Sequence, residues 1–284
     1  MKLGLAGRTV VFSLAALAVA ASVCAVYAPA AWLSPALSHA SRGTLSFHES
    51  WGTAWAGAAR IKITRSDKET LVLAQPLHWR LDASSLWRGN VVLALTSADL
   101  LDSVAQPVGI RVEKPWRTDA VAQISQGRFL LPVQSLASLG APFNTLRLSG
   151  QAQLVWPALT LALNAPPKLQ NPVSVRVSQL KSTLTGDMAL GDYALDIRSA
   201  PADADVLALS LSTSSPSAAL ILAGTGKVST HSVSTHTVST QKAPARPQFE
   251  LRASAKDADA MVKLGALLNF LGRREGDEWV LRVE

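Results

Sequence analysis

The stretch Leu130–Trp156, LLPVQSLASLGAPFNTLRLSGQAQLVW, contains a short helix, a turn and a strand in sequence order. Pro132 suits the first turn of a helix, where its missing N–H would have no partner. Gly140 can adopt a positive φ and end that helix, and Pro142 prevents its continuation. After Thr145 apolar and polar residues alternate as far as Trp156, which predicts a strand with one apolar and one polar face.

The same period of two recurs along the rest of the chain. Alternating runs occupy 60–63, 77–82, 108–113, 173–178, 193–198, 207–212 and 279–283. Strands with one polar face are typical of antiparallel sheets, and helical crossovers are missing from the pattern. We therefore predict a mainly β fold, an antiparallel β-rich domain with two short helices. It is a curled sheet, a sandwich or a partly closed barrel, and the sequence does not choose among these.

A second helix is predicted near the end of the chain. Asp257 can cap its N-terminus, Gly272 can end it, and Arg273 and Arg274 would suit the negative end of its dipole. Apolar residues recur between them at helical spacing: Met261, Leu264, Leu268 and Leu271. We expect this apolar stripe to cover the sheet, and docking of a partner helix is the alternative.

The N-terminus predicts a membrane anchor. Residues 9–33 carry no charge and are mostly apolar, and Lys2 and Arg8 precede them. About 20 apolar residues span a bilayer, and basic residues before the span keep the N-terminus in the cytoplasm. We predict a cytoplasmic N-terminus (1–8), a transmembrane anchor (9–33) and an exterior domain (34–284). A cleaved signal peptide ending near Ala40 is the alternative.

Composition excludes several classes of protein. The net charge is +7 and the pI about 9.9, but the basic residues are scattered singly along strands, so we expect a solvated face and no nucleic-acid partner. Cys24 is the only cysteine, which excludes an internal disulfide. Residues 227–247 repeat a Val-Ser-Thr unit with a period of five, which predicts a flexible loop. His231 and His236 within it are poorly spaced for a metal site.

The chain offers no set of residues for catalysis. It lacks H-E-x-x-H and G-x-S-x-G motifs, and Gly224–Lys227 departs from a phosphate-binding loop because Val228 follows the lysine. We expect those glycines to form a turn at a strand end. His39, His48 and His78 are isolated, and Asp99 and Asp102 have no evident third partner. We therefore predict no catalytic residues, no cofactor, no metal and no enzyme activity.

Trp51 and Trp55 are the candidate partner-contact residues. They flank Gly52 and precede Gly57, and tryptophan is enriched in docking surfaces. The alternative is that both are core residues beside close-packed backbone.

Several stretches together resemble protein N of the type II (general) secretion pathway. They are the N-terminal apolar segment and the runs 52–57, 77–81, 130–146, 150–156 and 267–276. The run Leu139–Leu146, LGAPFNTL, is the most specific, whereas the repeat within 227–247 departs from the family pattern. The resemblance implies a single-pass inner-membrane protein with a periplasmic β-rich domain. It also implies contacts with other secretion components, which are the inner-membrane platform, the clamp-like protein C and the secretin.

A second function stays open at this point. A sheet whose apolar face is not fully packed can hold lipid or another hydrophobic molecule, which would make the chain a tethered binding module.

Overall fold

The computed structural model describes residues 16–17, 19–20, 22–24, 26–41, 43–66, 69–101, 107–140, 143–163, 165, 168–186, 188–200, 206–229 and 248–283. From residue 28 onward, the described residues form eighteen strands and four α-helices. The described residues from 16 to 26 are also helical. The strands, in chain order, are β1 (Leu45–Gly52), β2 (Ala56–Ser66), β3 (Glu69–Val72), β4 (Leu77–Leu81), β5 (Asn90–Thr96), β6 (Leu100–Leu101), β7 (Val108–Glu113), β8 (Val121–Ile124), β9 (Gly127–Pro132), β10 (Leu148–Trp156), β11 (Leu159–Ala162), β12 (Val173–Ser182), β13 (Ala189–Ser199), β14 (Val206–Thr213), β15 (Leu220–Ser229), β16 (Gln248–Ala255), β17 (Arg273–Glu275) and β18 (Glu278–Val283).

The helices are short, apart from the last. They are α1 (Leu33–Ala40), α2 (Ala83–Trp87), α3 (Phe143–Leu146) and α4 (Ala258–Leu271). Three 3-10 helices occupy Ala30–Trp32, Val133–Leu139 and Thr183–Thr185. The mainly β prediction is confirmed, and the helical content is spread over more segments than the two that were expected.

The strands form two antiparallel sheets. The first has the order β1-β2-β4-β5-β7-β8-β11, with β3 paired to β2, and the second has the order β17-β18-β16-β15-β14-β13-β12-β10-β9-β6. Neither order closes on itself. The chain crosses between the sheets around β6, between β8 and β9, and on both sides of β11. The sheets are therefore continuous parts of one β domain.

Helix α4 covers one face of the second sheet, as predicted. The Asp257 side chain accepts a hydrogen bond from the Ala260 N–H at 2.7 Å and caps the helix. The core between α4 and the sheet contains Leu264, Leu267 and Leu268 of the helix together with Leu190, Tyr193, Leu220 and Trp279. Gly272 follows the helix, but its φ of 177° is extended backbone. A glycine fits there because a Cβ would lie 2.6 Å from the Val280 carbonyl oxygen. Arg273 and Arg274 belong to strand β17 instead of a helix end.

The stretch Leu130–Trp156 differs from the prediction at several points. Pro132 ends β9, and the helix after it is a 3-10 helix. Gly140 has the predicted positive φ, 75°, and ends that helix. The next strand begins at Leu148 because Leu146 is in α3 and Arg147 has a φ of 44°. A bulge between Ser149 and Gln151 then shifts the register, so the alternation does not run unbroken from Leu146.

Two expectations for the region around β15 also change. Gly224–Lys227 lies inside β15, so the expected strand-end turn is wrong. Glycines are needed there because the Phe249 ring lies where a Cβ would extend from Gly224 and Gly226. Lys227 to Ser229 are also strand residues, and the remainder of the predicted loop, 230–247 with His231 and His236, lies outside the described residues.

The predicted transmembrane anchor lies partly outside the described residues, which begin at 16 and have gaps before 26. Within the described part of the chain, no helix has the length and apolar character needed to cross a membrane. The last residues of the predicted anchor pack on the first sheet. Ala28 accepts a hydrogen bond from the Ala54 N–H at 2.8 Å, Pro29 bridges to Thr53, and Ala30 is buried against Ala59 and Trp79.

Candidate interaction surfaces

The turn between β1 and β2 positions the two predicted contact tryptophans. Gly52, with a φ of 85°, and Gly57 face each other across this turn, and Thr53 hydrogen bonds to Ala56 through both its backbone N–H and its hydroxyl. A Cβ on Gly57 would lie 2.7 Å from the Trp79 ring, so the glycine allows the turn to close over that ring. Trp51 and Trp55 are thereby held on a rigid turn.

Trp51 and Trp55 differ in their exposure and in whether they line a groove. Trp51 is exposed and lines a groove of about 490 Å³ on the outer face of the first sheet. His78 and Arg80 of β4 line the same groove, together with Ala94 and Thr96 of β5. Trp55 is half-buried and does not line it. The groove therefore combines one exposed aromatic ring with polar and basic side chains.

The inner face of the first sheet carries a stacked aromatic pair. Trp79 and Phe47 stack with ring centroids 5.4 Å apart, and the Trp79 indole N–H donates to the Ala54 carbonyl oxygen at 3.1 Å. Leu33 of α1 packs against the same cluster. This half of the inner face is covered by α1 and the aromatic pair.

The other half of the inner face is open. A cavity of about 430 Å³ lies between the two sheets, where strands of the first sheet approach β9, β10 and β12 of the second. Its lining is almost entirely apolar: Ile61, Leu73, Leu77, Leu95, Leu100, Val108, Ile110, Ile124, Phe129, Leu154, Trp156, Leu159 and Val173. Gln75 and Ser97 are the polar exceptions. The alternating pattern predicted these apolar faces but not the gap between them, because the gap depends on how far the sheets separate.

Charged side chains form a network on the outer face of the second sheet. Arg252 contacts Glu250 at 2.9 Å and Glu278 at 3.4 Å, and Arg282 makes a bidentate pair with Glu275. The hydrogen bond from Arg252 lowers the pKa of Glu250. All five side chains are substantially exposed, and such pairs stabilise a fold only weakly. We interpret this network as a solvated surface.

The residues considered for chemistry remain apart. His78 is exposed on β4, His48 is exposed on β1, and His39 lies in α1. Asp99 precedes β6, and Asp102 lies outside the described residues. Over the described part of the chain, no group of three or more His, Cys, Asp or Glu side chains could hold a metal ion.

Comparison with known proteins links these surfaces to one family. No curated protein and no solved structure gives a significant match to the chain. The family model for protein N of the type II secretion system matches residues 43–281. This range runs from just before β1 into β18 and thus includes both sheets, the cavity and α4. The chain therefore belongs to the type II secretion system protein N family.

Proposed function

We propose that the protein is a non-enzymatic inner-membrane component of the type II secretion system that supports protein export through protein–protein contacts. The observation that carries the proposal is the family match, which covers nearly the whole β domain. Membership of this family implies interaction with other components of the secretion system. Specific partners within this proposal are the inner-membrane platform, the clamp-like protein C and the secretin.

The proposal places the protein in the inner membrane through its N-terminal apolar run. No charged residue occurs from Thr9 to Tyr27, and Lys2 and Arg8 precede this run. By the positive-inside rule the N-terminus is then cytoplasmic and both sheets are periplasmic. A periplasmic domain with Cys24 as its chain's only cysteine depends on its apolar core for stability, because it has no disulfide.

The contact surface in this proposal is the groove beside Trp51. An exposed tryptophan beside a histidine and an arginine has the composition of a binding hot spot, and the rigid β1–β2 turn reduces the entropy lost on docking.

In-cell photo-crosslinking tests this contact surface. A photoreactive phenylalanine analogue replaces Trp51 in the full chain, and Val262, which is 84% exposed on α4, serves as the control position. Antibodies against the known secretion components then identify the products. We expect crosslinks to such a component from position 51 and not from position 262. Equal yields at both positions, or none at 51, would contradict the assignment of the groove.

The apolar cavity favours a second candidate function, the binding of a hydrophobic molecule. Its volume falls within the roughly 300–1,000 Å³ typical of ligand pockets, and its lining is apolar with two polar groups, which is the usual composition of such pockets. The lining matches the hydrocarbon part of a lipid. In this function the domain would be a tethered lipid-binding module.

Native mass spectrometry of the full chain tests the lipid-binding function. A lipid in the cavity adds a defined mass, and Ile110→Trp is expected to remove it by filling the cavity. Val262→Trp places the same ring on the exposed face of α4 and is expected to retain the added mass. Spectra without any adduct, or an adduct that survives Ile110→Trp, would rule out this cavity as the lipid site.

A further inference from the structure

One end of the first sheet is built from three chain reversals, and we call it the aromatic end (residues 53–56, 82–89, 114–120 and 163). The pairing register brings them together. Ala56 pairs with Arg80 next to the β4–β5 connection, and Asn90 pairs with Glu113 next to the β7–β8 connection. Ala162 pairs with Val121, which places Leu163 beside them. The Lys114 N–H donates to the Gly89 carbonyl oxygen at 3.1 Å and joins two of the connections directly.

Large rings at the aromatic end are left exposed by the part of the chain that the structure describes. Trp87 is 95% exposed and Trp116 is 67% exposed, although Trp116 approaches the backbone of Gly89. Leu163 is exposed at the same end. Among the described residues, the other exposed tryptophans are Trp51, inside β1, and Trp32, which lies next to this end because Pro29 bridges to Thr53. An exposed tryptophan leaves a large apolar area in water, which points to a missing partner.

The N-terminal apolar run reaches the domain at this same end. The Tyr27 N–H donates to the Val23 carbonyl oxygen at 2.9 Å, so a helical turn leads up to Tyr27. Ala28 then accepts the hydrogen bond from Ala54 in the β1–β2 turn. Whatever holds the apolar run is therefore at the end of the sheet that carries Trp87 and Trp116 and not at the opposite end.

The charges between the rings are mixed but suit an anionic surface. Arg88 and Lys114 lie beside Trp87 and Trp116, and Arg117 pairs with Asp119 at 2.8 Å. Asp82 is directed to the N-terminus of α2, where it accepts from the Ser84 N–H at 2.9 Å. Asp82 and Asp119 thus already have partners within the domain. Tryptophan beside arginine and lysine is the composition found at membrane interfaces.

We infer that the aromatic end lies in the headgroup region of the bilayer, with Trp87 and Trp116 inserted at the interface. The inference rests on the proposed anchoring by the N-terminal run. Indole rings prefer this depth because their apolar body and N–H meet both environments there. The domain then has a fixed orientation. Leu77, Leu95 and Val108 are at the opposite ends of β4, β5 and β7, so the apolar cavity points away from the membrane.

Fluorine NMR of the fluorotryptophan-labelled full chain tests this orientation. The protein is placed in nanodiscs of phosphatidylethanolamine and phosphatidylglycerol that carry a gadolinium chelate on some headgroups. Phenylalanine substitutions of Trp87, Trp116 and Trp279 assign the signals one at a time. We expect the gadolinium to abolish the Trp87 and Trp116 signals and to leave that of Trp279, which packs under α4, unchanged.

Each alternative gives a different result. If the chain stays in the nanodisc but the signals of Trp87 and Trp116 are broadened no more than that of Trp279, the inference is wrong and the anchoring stands. A protein partner or a second copy of the chain would then be the remaining way to cover the rings. If the chain separates from the nanodisc on size exclusion, both the anchoring and the inference fail.

Discussion

Gly140 lies where the 3-10 helix Val133–Leu139 meets the hairpin of β2 and β3. The Glu69 side chain of β3 occupies the space that a Cβ on Gly140 would need, and Arg65 of β2 donates to the Leu139 carbonyl oxygen at 3.3 Å. The Gly140 carbonyl oxygen accepts from Asn144 at 3.1 Å, which begins α3. This one residue therefore links an element of the second sheet to the first sheet.

Gly140→Val is expected to lower the free energy of unfolding by about 1–2 kcal/mol. A φ of 75° is unfavourable for a β-branched residue, and the new side chain would displace Glu69. Urea unfolding of the full chain measures the change. Gly265→Ala is the control, since that helical glycine has open space around it and should gain up to about 1 kcal/mol. A Gly140→Val curve that coincides with the wild-type curve would show that the corner is not constrained.

Tyr193 is a buried group whose ionisation depends on the fold. Its hydroxyl lies 2.9 Å from the Leu220 carbonyl oxygen and 3.1 Å from that of Leu190. Burial raises the pKa of Tyr193, with a further contribution from the charge of Asp192. The unfolded chain therefore releases this proton at a lower pH than the folded protein does, and stability falls as the pH rises above about 10.

Tyr193→Phe should lower the free energy of unfolding by about 1–2 kcal/mol at neutral pH, because it removes the one hydroxyl proton that the buried Leu190 and Leu220 carbonyl oxygens share. The variant should also lose the part of the alkaline decline that Tyr193 causes. Urea titrations at pH about 8 and about 11 measure both effects. If the difference between wild type and variant is the same at the two pH values, the hydroxyl does not titrate as described.

At the scale of elements, α4 is the segment whose sequence and structure agree most closely. Asp257→Ala is expected to cost about 1 kcal/mol of unfolding free energy, because the Ala260 N–H loses its acceptor. Asp259→Ala is the control: it removes a charge from the first turn but keeps the cap, so its cost should be nearer 0.3 kcal/mol. Thermal unfolding ranks the two variants. Equal losses would mean that the cap does not set the start of the helix.

Local signals account for what could be predicted from the sequence. The cap at Asp257, the positive φ of Gly140 and the alternation in β2, β4, β7 and β12 are properties of a few neighbouring residues. The bulge at Ser149 was not predictable, because it depends on pairing with β12, which is distant in sequence. Gly224 and Gly226 were misread as a turn because Phe249, the reason for them, lies on another strand.

Among the candidate surfaces, too, local signals were readable from the sequence and long-range arrangements were not. Trp51 was identified from its glycine neighbours, and the structure shows it lining a groove. Trp87 and Trp116 were missed, since the sequence places them in unrelated turns. Only the register of β5 and β7 brings those turns to one end of the sheet. Their signal in the sequence was tryptophan beside arginine, in Trp87-Arg88 and Trp116-Arg117.

At the scale of the whole molecule, the two sheets give the protein two different ends. The aromatic end of the first sheet adjoins the N-terminal apolar run, and the apolar cavity lies at the opposite ends of the same strands. The second sheet, stiffened by α4, extends from this cavity. A subunit that joins a membrane-bound platform to components further out would need such a division between an anchored and a distal part.

Measuring export after deletion of the gene tests the central claim most directly. The cell's secreted enzymes are assayed in the culture fluid and in the periplasm, with and without the full chain supplied in trans. If the protein supports type II secretion, these enzymes should accumulate in the periplasm of the deletion strain, and the full chain should restore their release. Wild-type export from the deletion strain would contradict the account.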